Sequence, residues 1–171
     1  AFQVLGATDK AGANKFRVGL IGAGGRGRGA LKDCLEAGKF LGIEIEPVAV
    51  ADAFQDRANG AGKEYGLPSE RCFGGFDAYR KVIEAGPDLV VLATPRAFRP
   101  VHLVGCIQAG KHVFMEKPVA VDPPGARRVI AAGELAKEKG LGIVAGTQRR
   151  HEKGYLANHF AISQGAIGKI V

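Results

Sequence analysis

Along this chain, short runs of apolar residues alternate with stretches in which apolar positions recur every three or four residues, the signature of buried strands alternating with amphipathic helices. Residues 1–14 carry neither period and read as a flexible leader. The run from Phe16 to Ile21 predicts the first strand. A glycine-rich turn follows, then a helix with Ala30, Leu31, Cys34 and Leu35 on one face and Gly38 as its stop. Ile45 to Ala51, closing on Asp52, predicts strand two, and Gln55 to Tyr65 the next helix, weakened by two internal glycines. Arg71 to Phe73 reads as a short third strand. Asp77 can cap a helix that turns Tyr79, Val82 and Ile83 inward, and Gly86-Pro87 ends it before the strongest strand, Leu89 to Ala93. Pro100 suits the first turn of a helix with Val101, Val104 and Ile107 on one face, closed by Gly110 and followed by strand His112 to Met115. Asp122-Pro123-Pro124 opens another, with Val129, Ile130, Gly133 and Ala136 as its stripe, before strand Leu141 to Ala145. A helix over 151–165 and an apolar strand starting at Ile167 complete the pattern.

Six strands alternating with helices require parallel pairing through right-handed crossovers, with helices on both faces of one sheet. The predicted fold is therefore α/β, a doubly wound, mostly parallel Rossmann sheet. At 171 residues one core suffices. The expected layout is a nucleotide-binding domain over 15–150, with 151–171 as a connecting helix and the first strand of a further domain that the chain does not contain.

Charge changes this picture little. The 24 Lys and Arg against 17 Asp and Glu give +7, but the basic residues are scattered without the clustered stripe and aromatics of a phosphate-backbone groove, so no nucleic-acid partner is expected. Cys34, Cys72 and Cys106 lie far apart, forming neither a CxxC pair nor a metal-ligand cluster, and read as buried thiols. No run reaches the ~20 apolar residues of a membrane span. Residues 1–7 fit the end of an export signal or a plain leader, which leaves the compartment open between cytoplasm and periplasm.

The candidate chemistry starts at Gly22-Ala23-Gly24-Gly25-Arg26-Gly27, a GxGxxG turn that directly follows a strand and opens a helix. Gly22 allows the tight turn, Gly24 lets backbone approach a pyrophosphate, and Gly27 allows close helix–strand packing, while Gly25 and Arg26 add N–H groups at the positive end of the helix. Asp52, 25 positions past Gly27 at the end of strand two, can accept both hydroxyl hydrogen bonds of an adenosine ribose. That carboxylate favours NAD over NADP, although Arg57 stands near enough to receive a 2′-phosphate.

Thr94-Pro95 and Glu116-Lys117-Pro118 each follow a strand, at the carboxyl edge where ligands bind in such sheets. The segments LVVLATP and AGKHVFMEKP, with the glycine turn, resemble the glucose-fructose oxidoreductase and inositol dehydrogenase (Gfo/Idh/MocA) family from Arg17 onward. The resemblance implies hydride transfer between a nicotinamide cofactor and a sugar or polyol hydroxyl, with Lys117 at the reacting oxygen and cofactor contacts at Thr94, Pro95, Glu116 and Lys117. A cis Lys117–Pro118 bond is allowed. Arg99 departs from the family, many members having histidine there. With His102 one turn on, it suggests a grip on an anionic or heavily hydroxylated substrate. Arg149 or Arg150, in a segment resembling one that passes near cofactor and substrate, is a further candidate contact. The resemblance also implies a second α+β domain supplying other acid and base groups, and a homo-oligomeric parent. Two alternatives stay open: an NAD-dependent glycosidase working by transient oxidation and elimination, and a non-catalytic NAD-binding module.

Overall fold

The computed structural model describes residues 15–169. The expected leader therefore lies outside the described residues. Strands β1 (Lys15–Ile21), β2 (Glu44–Asp52), β3 (Cys72–Gly74), β4 (Leu89–Leu92), β5 (His112–Glu116) and β6 (Ile143–Gly146) form one sheet in the order β3-β2-β1-β4-β5-β6. Every neighbouring pair is parallel. The direction in which the chain adds strands reverses between β1 and β4, which opens a crevice at their carboxyl ends.

Helices cover both faces, as a parallel sheet requires. On one face α1 (Gly25–Leu41) and α2 (Gln55–Glu64) set Ala30, Leu31 and Ala61 against Val18, Leu20, Val50 and Val91. On the other, α3 (Ala78–Glu84), α4 (Arg99–Gln108) and α5 (Pro123–Glu138) bury Val82, Leu103, Ile107 and Ala132 against Ala49, Val90, Leu92 and Val113. Among the described residues no helix is long and apolar enough to cross a membrane.

Several details differ from the sequence reading. Helix α1 runs through Gly38 and stops at Gly42, whose φ of 68° is the left-handed cap. Gly38 is buried inside the helix because a Cβ there would stand 2.7 Å from the Ile45 side chain and 2.8 Å from the Ile43 carbonyl. Asp77 occupies the N-cap position of α3 but accepts no capping hydrogen bond, whereas Asp122 caps α5 by accepting from the Gly125 N–H at 2.7 Å. In α5, Ile130 and Gly133 are exposed and the inward stripe is Gly125, Ala132 and Ala136, with Val129 half-buried. In α4, Val101 is 44% exposed, and the inward face is Arg99, His102, Leu103, Cys106 and Ile107. Two overlapping stripes satisfy the helical period there, and the structure selects the one that carries an arginine and a histidine. Cys34 is only half-buried.

After β6 comes α6 (Lys153–Ser163), every residue of which is exposed, including Tyr155, Leu156, Phe160 and Ile162. The strand expected from Ile167 is not formed as far as the structure describes it: Ile167 lies in a turn and Gly168 has a φ of 76°, while 170–171 lie outside the described residues.

Candidate active site

The glycine turn sits in the crevice between β1 and β4. Gly22 has a φ of 97°, and a Cβ there would meet the Ala93–Thr94 peptide of β4's end at 2.7 Å. A Cβ on Gly27 would overlap the Gly22 carbonyl oxygen, so its absence lets α1 start directly against the turn. Gly24 and Gly25 differ: a Cβ on either meets no protein atom within 4 Å, so both border open space. Helix α1 has no side-chain cap and no acidic residue in its first turn. Its first N–H groups and the positive end of a 17-residue helix thus face that space, a fit for a diphosphate.

Asp52 ends β2 beside this turn. Its carboxylate accepts from the Ala23 N–H at 2.8 Å and from the Phe54 N–H at 3.1 Å, which ties the glycine turn to the loop after β2. Gly22 N–H donates to the Ala51 carbonyl at 2.8 Å and completes the tie. A cleft of about 120 Å³ opens here, lined by Gly22, Asp52, Phe54, Phe76, Thr94 and His102 among others. Its rim is aromatic: Phe76 stacks on Phe98 with centroids 5.6 Å apart, and the Arg57 guanidinium lies 4.8 Å over Phe54. A planar ring system fits such a rim. A larger open groove, lined by Arg80, Val101, Gln108 and Arg128, lies on the outer side of α3, α4 and α5.

Thr94, buried at the end of β4, places its hydroxyl 3.2 Å from His102 Nδ1. The His102 ring packs 4.4 Å from Tyr79, and burial pushes its pKa down to about 4, so it is neutral at pH 7. Pro95 is exposed beside Thr94.

At the end of β5, Glu116 is 3% exposed and its carboxylate accepts from Arg26 Nε at 2.8 Å. Arg26, in the first turn of α1, thus joins the glycine turn to the loop that carries Lys117. Lys117 itself is exposed, and the Lys117–Pro118 bond is cis.

Arg99 is where the structure departs most from the sequence reading. It is 4% exposed, and its guanidinium donates to the carbonyls of Thr94, Glu116 and Pro118. Both terminal nitrogens are engaged by backbone, so the bidentate grip on a substrate carboxylate is not available to it. Arg149 and Arg150 lie exposed on the turn over Gln148–Arg150 after β6, where the Arg149 guanidinium stacks 5.2 Å over Tyr155. They are not among the residues lining the cleft.

The sequence reading missed Arg28, whose Nε donates to the Ala23 carbonyl at 3.1 Å while its Nη2 reaches the Arg57 carbonyl at 3.4 Å, bracing the turn against α2. It also missed the aromatic rim. Phe54, Phe76 and Phe98 are solitary phenylalanines in loops, and only the fold gathers them.

Comparison with known proteins agrees with this geometry. Residues 16–146 match the family described as "Oxidoreductase family, NAD-binding Rossmann fold", GFO_IDH_MocA. Inositol 2-dehydrogenase 1 of Saccharopolyspora erythraea is 34% identical over 152 residues, covering 89% of this chain and 42% of that protein. Inositol 2-dehydrogenase of Klebsiella pneumoniae is 34% identical over 156 residues, covering 90% and 43%. Among solved structures, a 3-ketoreductase from Actinomadura kijaniata in complex with NADP superposes with a TM-score of 0.72 at 28% identity, over 91% of this chain and 46% of that one. The chain therefore spans less than half the length of the relatives it matches. With a glycine turn at the switch point of a 3-2-1-4-5-6 sheet and a family match over 131 positions of that sheet, this chain belongs to the Gfo/Idh/MocA oxidoreductase family, as its NAD-binding Rossmann domain.

Proposed function

We propose that this chain is the cofactor-binding half of an NAD-dependent oxidoreductase that acts on a secondary hydroxyl of a sugar or cyclic polyol. One observation carries the reading: the uncapped start of α1 and the Asp52 carboxylate lie side by side at the crevice, a seat for a diphosphate next to an acceptor for a ribose. The names of the relatives, inositol 2-dehydrogenases and a 3-ketoreductase, support a polyol hydroxyl or its ketone as the reacting group.

A bound nicotinamide cofactor supplies the hydride acceptor or donor. Gly24 to Gly27 offer N–H groups to phosphate oxygens, and Asp52 accepts from ribose hydroxyls while repelling a 2′-phosphate, which favours NAD over NADP. Thr94, Pro95 and Glu116 shape the edge at which the nicotinamide end would lie. Lys117 exchanges the hydroxyl proton at Nζ as the carbinol carbon changes oxidation state, and His102, Arg149 and Arg150 are candidates for contacts on the substrate side. Residues 151–171 lead into a second unit that completes the substrate pocket, an assignment supported by the fully exposed α6. The whole protein is a homo-oligomer in this reading.

Calorimetric titration of the chain with NAD+, NADH and NADP+, repeated on Asp52→Ala, tests the proposal. Tighter binding of NAD+ and NADH than of NADP+, with the preference lost in the variant, is the expected result. Equal binding of NAD+ and NADP+ by the unmutated chain would remove the role given to Asp52.

A further inference from the structure

We propose that Arg99 is a positioning residue for Lys117: its guanidinium clamps the loop after β5 to the loop after β4 and so holds the lysine at the nicotinamide end of the site. The inference rests on the reading of Lys117 as the proton-exchanging group.

The clamp is visible in the acceptors. Nη1 of Arg99 takes the carbonyls of both Glu116 and Pro118, the residues on either side of Lys117, and Nη2 takes the carbonyl of Thr94. One side chain thus fixes the backbone before and after the lysine and ties it to the strand end that packs against Gly22. A planar fork with charged N–H donors suits this task, because separate carbonyls can be taken at fixed relative angles. A side chain with one polar atom could not hold both loops.

Burial makes the arrangement costly, since Arg99 is 4% exposed. An apolar residue at position 99 would extend the stripe of Leu103, Cys106 and Ile107 without desolvating a charge. Arg99 Nε is buried without a hydrogen-bond partner, so the side chain is placed for its terminal nitrogens at the expense of its own satisfaction. Glu116 receives a second hold, its carboxylate accepting from Arg26 at 2.8 Å. The residue before Lys117 is therefore fixed at its carbonyl from α4 and at its side chain from α1. Preorganisation of this kind is what a reacting group on a loop requires.

The test is acylation of Lys117 by a small amine-reactive ester, quantified by peptide mass spectrometry with and without saturating NAD+. In the unmutated chain, bound NAD+ is expected to protect Lys117 by about threefold or more, the weight of one or two hydrogen bonds' worth of positioning. In Arg99→Ala, at equal NAD+ occupancy, the protection is expected to vanish, while the Kd for NAD+ stays within about threefold because the glycine turn and Asp52 are untouched. Added ethylguanidinium at millimolar concentration should restore part of the protection, which a merely structural loss would not show. Arg99→Lys, which keeps the charge but not the fork, carries the same test if Arg99→Ala fails to fold. Full protection of Lys117 in a folded, NAD+-binding Arg99 variant overturns the proposal. So does failure of both variants to fold, since the residue would then serve the fold alone. If Lys117 is unprotected in the unmutated chain with NAD+ bound, the assignment of Lys117 itself falls, an outcome distinguished by its appearance before any mutation.

Discussion

Two glycines three residues apart, Gly24 and Gly27, separate binding from folding, and alanine at each should do opposite things. Gly24 has φ −71° and ψ −179°, a conformation open to any residue, and a Cβ there meets no protein atom within 4 Å. Gly24→Ala should therefore change stability by less than about 1 kcal/mol, a shift in Tm of at most ~4 °C for a chain of this size. Its methyl group would nevertheless stand in the open space over the start of α1. Forfeiting one or two charge-assisted N–H···O bonds to a diphosphate costs about 1.5–3 kcal/mol each, which is roughly ten- to a hundredfold or more in Kd. Gly27→Ala meets the opposite situation, because its Cβ would overlap the Gly22 carbonyl and lie 3.2 Å from the Ala93 Cβ. Neither obstacle can swing aside, so α1 must lift from the turn at a cost of about 1–3 kcal/mol, lowering Tm by roughly 3–10 °C. Thermal unfolding without ligand, then calorimetric titration with NAD+, separates the two. A Gly24→Ala chain that binds NAD+ like the unmutated one would refute the claim that a ligand's phosphates approach this backbone.

Two further outcomes follow from buried ionisable groups. Burial holds the His102 imidazole near pKa 4, below its ordinary 6.5, so the fold disfavours the protonated ring. Above pH 6.5 this contributes no pH dependence, and as pH falls from 6.5 to 4 the unfolded chain takes up a proton that the fold refuses, costing about 1.4 kcal/mol per pH unit. Denaturant unfolding between pH 7 and 4.5 should show that extra loss in the unmutated chain relative to His102→Gln, and parallel pH profiles would contradict it. For the Arg26–Glu116 pair, Arg26→Met should destabilise by about 1–3 kcal/mol by leaving a buried carboxylate without its partner, a range lowered because Arg26 is half-exposed. The double variant Arg26→Met/Glu116→Gln should recover at least half of that loss in a double-mutant cycle, and simple additivity would show that the two side chains do not interact energetically.

The fold was legible because its information is local and repeated. Apolar runs such as Leu89 to Leu92 can only be buried strands in a chain with this alternation, and Gly22, Gly42, Gly86 and Gly110 punctuate it with the positive φ values that glycine supplies. What failed locally failed where two local readings compete. Gly38 looks like a helix stop, yet it is a point of close contact with Ile45, while Gly42 a turn later supplies the cap. Periodicity cannot tell these roles apart, because one depends on φ and the other on what lies across the interface. In α4 the period supports both Val101–Val104 and Leu103–Ile107 as the inner stripe, and polarity misleads, since the true inner face begins with Arg99 and His102. At the site, the glycine turn and Asp52 were readable because strand ends and helix starts carry their own signals. The ties that hold them, Arg28 to the Ala23 carbonyl and Arg26 to Glu116, use backbone and partners 5 and 90 positions away, which no spacing rule reaches.

The misreading of Arg99 exposes how the site is built. An arginine beside a ligand crevice invites assignment as a ligand contact, because guanidinium groups are seldom buried without a partner charge. Here the partners are backbone carbonyls that strand ends leave unmatched: Thr94 lies past the last residue of β4, and Glu116 and Pro118 lie at and past the last residue of β5. A parallel sheet that binds at its carboxyl edge must end its strands at that edge, and each ending releases carbonyls from the ladder close to where reacting groups are carried. Solvating them with water would leave both loops free to move. Satisfying them with one buried guanidinium fixes the loops relative to each other and leaves the open space above the turn for a cofactor. Two arginines at the start of α1 brace the same crevice through other contacts, Arg26 through the Glu116 carboxylate and Arg28 through the Ala23 carbonyl, while the first N–H groups of α1 keep no side-chain cap.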